Sequence, residues 1–102
     1  MDAQIKKGFL EMCLLLKLKK KDYYGYELMK EMNLLFPDVN ESTFYAILRR
    51  LNKEGMAEQY LGDTSDGPAR KYYKISFEGK ASLKEKMQSF RELCEIIDTL
   101  SR

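Results

Sequence analysis

The 102-residue sequence predicts a mainly α-helical fold with a single β-hairpin. Apolar residues recur at helical spacing in three stretches of the first half and in one longer stretch at the C-terminal end. Between them, two strand-like runs flank a segment dense in turn formers. We therefore expect a winged helix-turn-helix in residues 1–76 and a long dimerisation helix in residues 77–102.

The first helix is expected from Gln4 to Leu18. Its apolar positions recur at helical spacing and widen into a face broader than one stripe, namely Ile5, Phe9, Leu10, Met12, Cys13, Leu14, Leu15, Leu16 and Leu18. This helix must therefore be covered on more than one side. The lysines around its end, Lys17 and Lys19–Lys21, are typical of a solvated helix C-terminus.

A second helix is expected after Asp22, which can cap it, with Gly25 allowing close packing in its first turn. Its inner face should contain Leu28, Met29, Met32, Leu35 and Phe36. Pro37 ends it, and a short connection leads into the third helix. We expect the aromatic residues at positions 23–26 to pack rather than to bind a ligand.

The third helix, roughly Glu41 to Glu54, has two chemically different faces. Its apolar face consists of Phe44, Ile47, Leu48 and Leu51, and its opposite face of Ser42, Ala46, Arg49 and Lys53, with Tyr45 and Arg50 flanking. Asn40 is expected to cap this helix and Gly55 to end it. The small residues would let the backbone approach a DNA groove while Arg49 and Lys53 reach phosphates or a guanine edge. The alternative is an ordinary solvated helix face.

The expected hairpin pairs Ala57–Leu61 with Arg70–Ser76 through a long polar turn at residues 62–68. With Tyr73 and Ile75 facing the core, alternation places Arg70, Tyr72 and Lys74 outward and leaves Lys71 at the edge of the inner face. A basic helix face followed by a basic hairpin is the layout of a winged helix-turn-helix.

The last helix is expected from about Phe77 to Leu100, capped by Ser76. Apolar residues alternate along it at spacings of four and three, which is the pattern of a coiled-coil seam, at Leu83, Met87, Phe90, Cys94 and Ile97. A second apolar edge is formed by Leu93, Ile96 and Leu100. We expect a homodimer through this seam; the alternative is a helix folded back onto its own domain.

The amino-acid composition argues against most classes of enzyme. The chain has no histidine, which removes the usual general base and the commonest metal ligand, so we expect no enzyme, no metal and no cofactor.

Cys13 and Cys94 are expected to be buried free thiols in a reducing cytoplasm. The longest apolar run, Met12 to Leu16, is too short to span a bilayer, so we expect a cytoplasmic protein without membrane contact. A net charge of +2 permits nucleic-acid binding without demanding it.

Several motifs, in order and spacing, resemble those of the PadR family of bacterial transcriptional regulators in its small form with one C-terminal helix. They cover nearly the whole chain: Gly8–Glu11, Tyr24–Leu28, Ser42–Tyr45, Leu48–Leu51, Glu54–Gly55, Gly67–Tyr73, and Ser76 with Gly79. The resemblance implies a homodimeric winged-helix repressor that binds a pseudo-palindromic duplex DNA operator and often responds to a small aromatic or cationic effector. It implies DNA contacts from Ser42, Thr43, Tyr45, Arg49, Arg50, Arg70 and Lys71.

Three departures from the family pattern matter. Ala46 stands where the family usually has proline, so the start of the third helix can differ slightly. Asp63 and Asp66 bring negative charge to the wing tip and weaken the case for deep minor-groove insertion. The chain has no tryptophan, and Phe90 takes the place on the last helix where some relatives have one.

An effector slot is one interpretation of the aromatic and methionine residues near the seam. The candidate lining residues are Phe9, Met12, Met87 and Phe90, and Glu11 or Glu95 could attract a cation. The alternative is that these side chains fill a closed core.

A second alternative concerns the function as a whole. A winged helix can bind protein instead of DNA, and neutralisation of the basic surface by Glu54 or Glu58 would favour that interpretation.

Overall fold

The computed structural model describes residues 3–62 and 67–102, and the side chains from residue 6 onward. In order, the elements are α1 (Ala3–Lys20), β1 (Tyr23–Tyr24), α2 (Gly25–Leu35), α3 (Glu41–Lys53), β2 (Ala57–Gly62), β3 (Arg70–Ile75) and α4 (Phe77–Leu100). The mainly helical fold with its wing hairpin is therefore confirmed. Asp63 and Asp66, which the sequence places at the wing tip, lie outside the described residues.

The sheet has three antiparallel strands in the order β1-β3-β2. Its third strand was not predicted: Tyr23 and Tyr24 pair with Tyr73 and Tyr72 instead of starting a helix. The second helix therefore begins only at Gly25, and Asp22 does not cap it. Instead, the Asp22 carboxylate accepts a hydrogen bond from the Tyr60 hydroxyl.

One hydrophobic core joins the four helices and the sheet. The largest fully buried side chains come from every helix: Leu10, Leu14, Leu15, Leu18, Leu28, Met29, Met32, Phe44, Leu48, Leu51 and Leu83. The wide apolar face of α1 is accordingly covered on more than one side, as predicted. On α2 the prediction is wrong at Leu35, which is 58% exposed, whereas the next residue, Phe36, packs partly against the core.

The ends of α3 and the start of α4 are held by specific local contacts. Asn40 occupies the N-cap position of α3, but its side chain forms no capping hydrogen bond. Gly55 ends the helix with φ of +79°, a left-handed conformation that glycine adopts at low cost. The Ser76 hydroxyl accepts a hydrogen bond from the backbone N–H of Gly79 and donates one to the carbonyl of Gly55, so the cap of α4 also ties it to the end of α3.

The long helix α4 packs against the core in its first part and is exposed in its last part. Leu83 is only 1% exposed within the single chain, and Met87 and Phe90 pack partly against the same core. The prediction that Leu83 lies at a dimer interface is therefore wrong, because its own domain already buries it. Beyond Phe90 every residue is exposed, including Cys94 and Ile97, the latter at 64%.

Both cysteines are free thiols, as predicted. The prediction that they are buried is wrong, because Cys13 is half-buried and Cys94 is exposed. Cys13 is half-buried on α1, and burial raises the pKa of its thiol. Cys94 is exposed because it lies on the part of α4 that extends past the core. None of the helices in the described part of the chain combines the length and apolarity that crossing a bilayer requires.

Candidate nucleic-acid interface

The outer face of α3 is polar, exposed and partly cationic. Ser42, Thr43, Ala46, Arg49 and Lys53 are all exposed, whereas the four apolar residues of the opposite face are buried. The orientation follows from the sequence, since one strongly apolar stripe leaves the helix a single way to lie on the core. Within the described residues neither Arg49 nor Lys53 forms an ion pair, so both cations are available to an anionic partner.

Arg50 does not share this outer face. Its guanidinium donates to Glu11 of α1 at 2.6 Å, and Lys86 of α4 binds the other oxygen of the same carboxylate at 2.6 Å. The Arg50 Nε is buried without a hydrogen-bond partner in the described structure. The sequence placed Arg50 among the DNA contacts, but the structure directs it toward α1. Glu11, only 13% exposed and paired to two cations, is likewise not placed to attract a cationic effector.

Tyr45 lies where α3 meets the start of α2. A Cβ added at Gly25 would lie 3.3 Å from the Tyr45 hydroxyl oxygen, so glycine at this position lets the phenol pass closely. The pKa of Tyr45 is raised by burial and, to a smaller extent, by the negative charge of Glu41. The hydroxyl therefore stays protonated near neutral pH and can donate a hydrogen bond.

Arg70 and Lys71 lie on opposite faces of β3, next to the hairpin turn. Arg70 and Lys71 are both exposed, and Tyr73 and Ile75 beyond them face the core as predicted. Arg70 extends over the ring of Tyr24, with its guanidinium carbon 4.6 Å from the ring centroid. The basic end of β3, next to the hairpin turn, is thus in contact with β1.

An open cleft of about 550 Å³ joins α2, α3 and the wing. We call it the tyrosine cleft, and it is lined by Tyr24, Gly25, Tyr26, Tyr45, Arg70, Lys71 and Tyr73. Three of the predicted DNA-binding residues meet there. Sequence reasoning missed Tyr24 and Tyr26 as site residues. Tyr24 ends β1 and Tyr26 lies in the first turn of α2, and the pairing of β1 with β3 brings this segment beside Arg70.

Two glutamates were expected to reveal whether the basic surface is neutralised. Glu58 pairs with Lys74 at 3.5 Å on the outer face of the hairpin, and Glu54 lies at the C-terminal end of α3. In the part of the chain that the structure describes, neither forms an ion pair with Arg49, Lys53 or Lys71.

The four candidate effector residues do not line one open slot in the single chain. Phe9 and Phe90 meet edge to face with ring centroids 6.1 Å apart, and Phe9 contacts Phe36 in the same way. Met12 is buried in the core, which closes it to a ligand, and Met87 is half-buried. Phe90 also borders a shallow cavity of about 310 Å³ on α4, with Lys86 and Leu93.

The chain is similar to known proteins along most of its length. Residues 14–85 match the model of the transcriptional regulator PadR-like family. A protein of unknown function from Lysinibacillus sphaericus is 42% identical over 100 residues, which cover 94% of this chain and 91% of that protein.

Solved structures agree with this match. A PadR-like transcriptional regulator from Bacillus cereus is 37% identical, with a TM-score of 0.86 over 98% of both chains. A transcriptional regulator from Streptococcus is 28% identical, with a TM-score of 0.90 over 99% of this chain and 100% of that chain. A PadR family transcription regulator from Clostridium difficile is 29% identical, with a TM-score of 0.81 over 92% of this chain and 99% of that chain.

Proposed function

The chain belongs to the PadR-like family of transcriptional regulators, and from this premise we propose that it is a repressor that binds a pseudo-palindromic operator as a homodimer. Membership of the family implies regulation through DNA binding. The observation that carries the rest is the exposed face of α3, whose cations Arg49 and Lys53 form no ion pair among the described residues. Tyr45 of the same helix lines the tyrosine cleft together with Arg70 and Lys71 of the wing.

The recognition element is α3. Small side chains at Ser42 and Ala46 let the helix backbone approach base edges in the major groove, and Arg49 follows on the same face about one turn later. Lys53, at the end of the helix, and Lys71, on the wing, fit phosphates on either side of the groove. Because none of these three cations is neutralised by a described carboxylate, the surface favours DNA over a protein partner.

The evidence that favours a dimer is the exposed C-terminal part of α4, from residue 91 onward. Leu93, Ile96, Ile97 and Leu100 are all more than half exposed on the single chain, although they continue an apolar pattern. A second copy of the same helix would bury them, and a two-fold axis would place two recognition helices about 34 Å apart for successive major grooves. Operator symmetry follows from this protein symmetry.

Lys53→Ala is expected to weaken DNA binding about equally for all sequences. The slope of log K against log salt should fall by about one unit for each phosphate that the lysine no longer neutralises. Fluorescence anisotropy over a salt series, with a duplex that the wild-type protein selects from a random pool, measures the slope. Lys80→Ala, which removes an exposed lysine from α4, is the control and should leave it unchanged. Equal slopes for Lys53→Ala and wild type would exclude a phosphate contact by Lys53.

Release by a small planar aromatic effector is the second part of the proposal. Phe90 is half-buried, faces the shallow cavity on α4 and lies just before the exposed apolar segment, so a dimer would enclose it between two copies of α4. A stacking ligand bound there would lower operator affinity only if it favours a different separation of the recognition helices.

Calorimetric titration of planar aromatic dyes and phenols into the protein tests this site. We expect at least one to bind wild type and to bind Phe90→Ala about tenfold more weakly, since one aromatic stacking contact contributes about 0.5–1.5 kcal/mol beyond buried area. Phe77→Ala, at an exposed phenylalanine on the same helix, is the matched control. Binding that Phe90→Ala leaves intact would remove Phe90 from the effector site.

A further inference from the structure

The outer face of the sheet carries a row of tyrosine rings that crosses all three strands. Tyr24 and Tyr60 both lie opposite Tyr72 in the strand register. The rings of Tyr60 and Tyr72 stack with centroids 5.6 Å apart, and the rings of Tyr24 and Tyr72 meet at 5.9 Å. The row ends at Tyr24, on the edge that borders the tyrosine cleft.

The far end of this row is anchored. Tyr60 donates a hydrogen bond to Asp22 at 2.5 Å, and this bond raises the pKa of Tyr60 to about 12. The ring of Tyr72 lies so close over Gly62 that a Cβ there would overlap it. Glycine at position 62 thus lets the ring of Tyr72, in the middle of the row, lie against β2. Tyr72 in turn packs against the ring of Tyr24.

Arg70 contacts the end of the row that lies on β1. It lies two residues before Tyr72 in β3, so it shares the outer face and is the diagonal neighbour of Tyr24 across the β1–β3 pair. Its guanidinium carbon is 4.6 Å from the centroid of the Tyr24 ring, a favourable distance for a cation–π contact. Tyr26 stacks on Tyr24 with an interplanar angle of 18°, so Tyr24 has aromatic neighbours on both sides.

We propose that Tyr24 is a positioning residue that holds the Arg70 guanidinium ready for a phosphate of the operator backbone. A ring that meets the flat face of a guanidinium leaves the N–H donors at its edges unoccupied, and those donors match a phosphate in bidentate geometry. Fixing the long side chain before binding also reduces the rotamer entropy that is lost when DNA binds. This inference rests on the proposed DNA binding and adds to it a role for the edge strand β1.

Tyr24→Leu is expected to weaken binding about two- to fivefold, the range of an exposed cation–π contact. Tyr24→Phe keeps the ring and should bind like wild type. The measurement is fluorescence anisotropy with the duplex that wild type selects from a random pool, and thermal melting confirms that each variant is folded. Loss of binding in Tyr24→Phe as well would indicate a direct contact by the hydroxyl and would overturn the positioning role.

A double-mutant cycle separates positioning from a structural effect. In an Arg70→Ala background, Tyr24→Leu should cause no further loss of affinity, because the group that it positions is absent. An equal loss in both backgrounds would overturn the inference, and so would Arg70→Ala binding as tightly as wild type.

The matched control for the cycle is Tyr60→Leu, which removes the ring at the other end of the row and should leave affinity within about twofold, since the ring that the Arg70 guanidinium overlies is that of Tyr24. A loss in Tyr60→Leu as large as in Tyr24→Leu would also overturn the inference, because general sheet packing would then explain both. Failure of the wild-type protein to select any duplex would contradict the proposed function itself, which keeps the two outcomes distinct.

Discussion

Ile97→Asp should convert the protein into a folded monomer. Ile97 is 64% exposed on the single chain, so its own domain does not need it for folding. In the proposed dimer the substitution would bury a carboxylate near its symmetry mate, and both desolvation and like-charge repulsion oppose association. We expect the dimer dissociation constant to rise at least about 100-fold, which corresponds to about 2.7 kcal/mol. Sedimentation velocity over a concentration series measures it.

Operator affinity should fall together with dimerisation, because a monomer presents one recognition helix and reads one half-site. Thr99→Asp is the matched control: it adds the same charge two residues later, at an exposed position on the opposite side of α4. This control should remain dimeric and keep its affinity for the operator. An Ile97→Asp protein that sediments as a dimer at the same concentrations as wild type would show that the distal half of α4 is not the interface.

The bounds of α4 and the two faces of α3 were accessible from the sequence because strong local signals agree there. Ser76 followed by a long periodic run fixes the start of α4, and the side chain does accept the Gly79 N–H. For α3, an apolar stripe at helical spacing leaves one orientation on the core, and the four residues predicted on the opposite face, Ser42, Ala46, Arg49 and Lys53, are all exposed. Local pattern and tertiary packing demand the same arrangement in both cases.

Other features depend on partners distant in sequence. The strand β1 is two residues long and exists because Tyr23 and Tyr24 pair with residues about fifty positions later. Leu83 illustrates a different limit, since a four-three apolar pattern is the same whether a helix packs on its own domain or on a second copy. The structure decides this for the first half of α4 by burying Leu83 against α1 and its neighbours.

Arg49 and Arg50 are adjacent arginines for which the structure predicts opposite phenotypes. Arg49 is exposed and forms no ion pair among the described residues, so Arg49→Ala should change stability by less than about 0.5 kcal/mol. Loss of a base or phosphate contact should instead weaken operator binding about 5- to 150-fold, the equivalent of about 1–3 kcal/mol. Anisotropy titration at one salt concentration, on operator and on scrambled duplex, distinguishes base reading from phosphate contact.

Arg50→Ala should reduce stability and leave operator binding within about threefold. It removes one of the two cations that pair with the largely buried carboxylate of Glu11, while Lys86 remains on the other oxygen. Because Arg50 is itself one-third exposed, solvent screening reduces the loss to about 1–2 kcal/mol, which lowers the melting temperature by about 5–15 °C.

Lys86→Ala provides the comparison, since it takes the other cation from Glu11 without changing α3 and should lower the melting temperature in the same way. If Arg50→Ala melts like wild type but loses as much operator affinity as Arg49→Ala, then Arg50 must leave Glu11 when DNA binds. In that case the ion pair between Glu11 of α1 and Arg50 of α3 breaks when the operator binds, and the recognition surface includes both arginines.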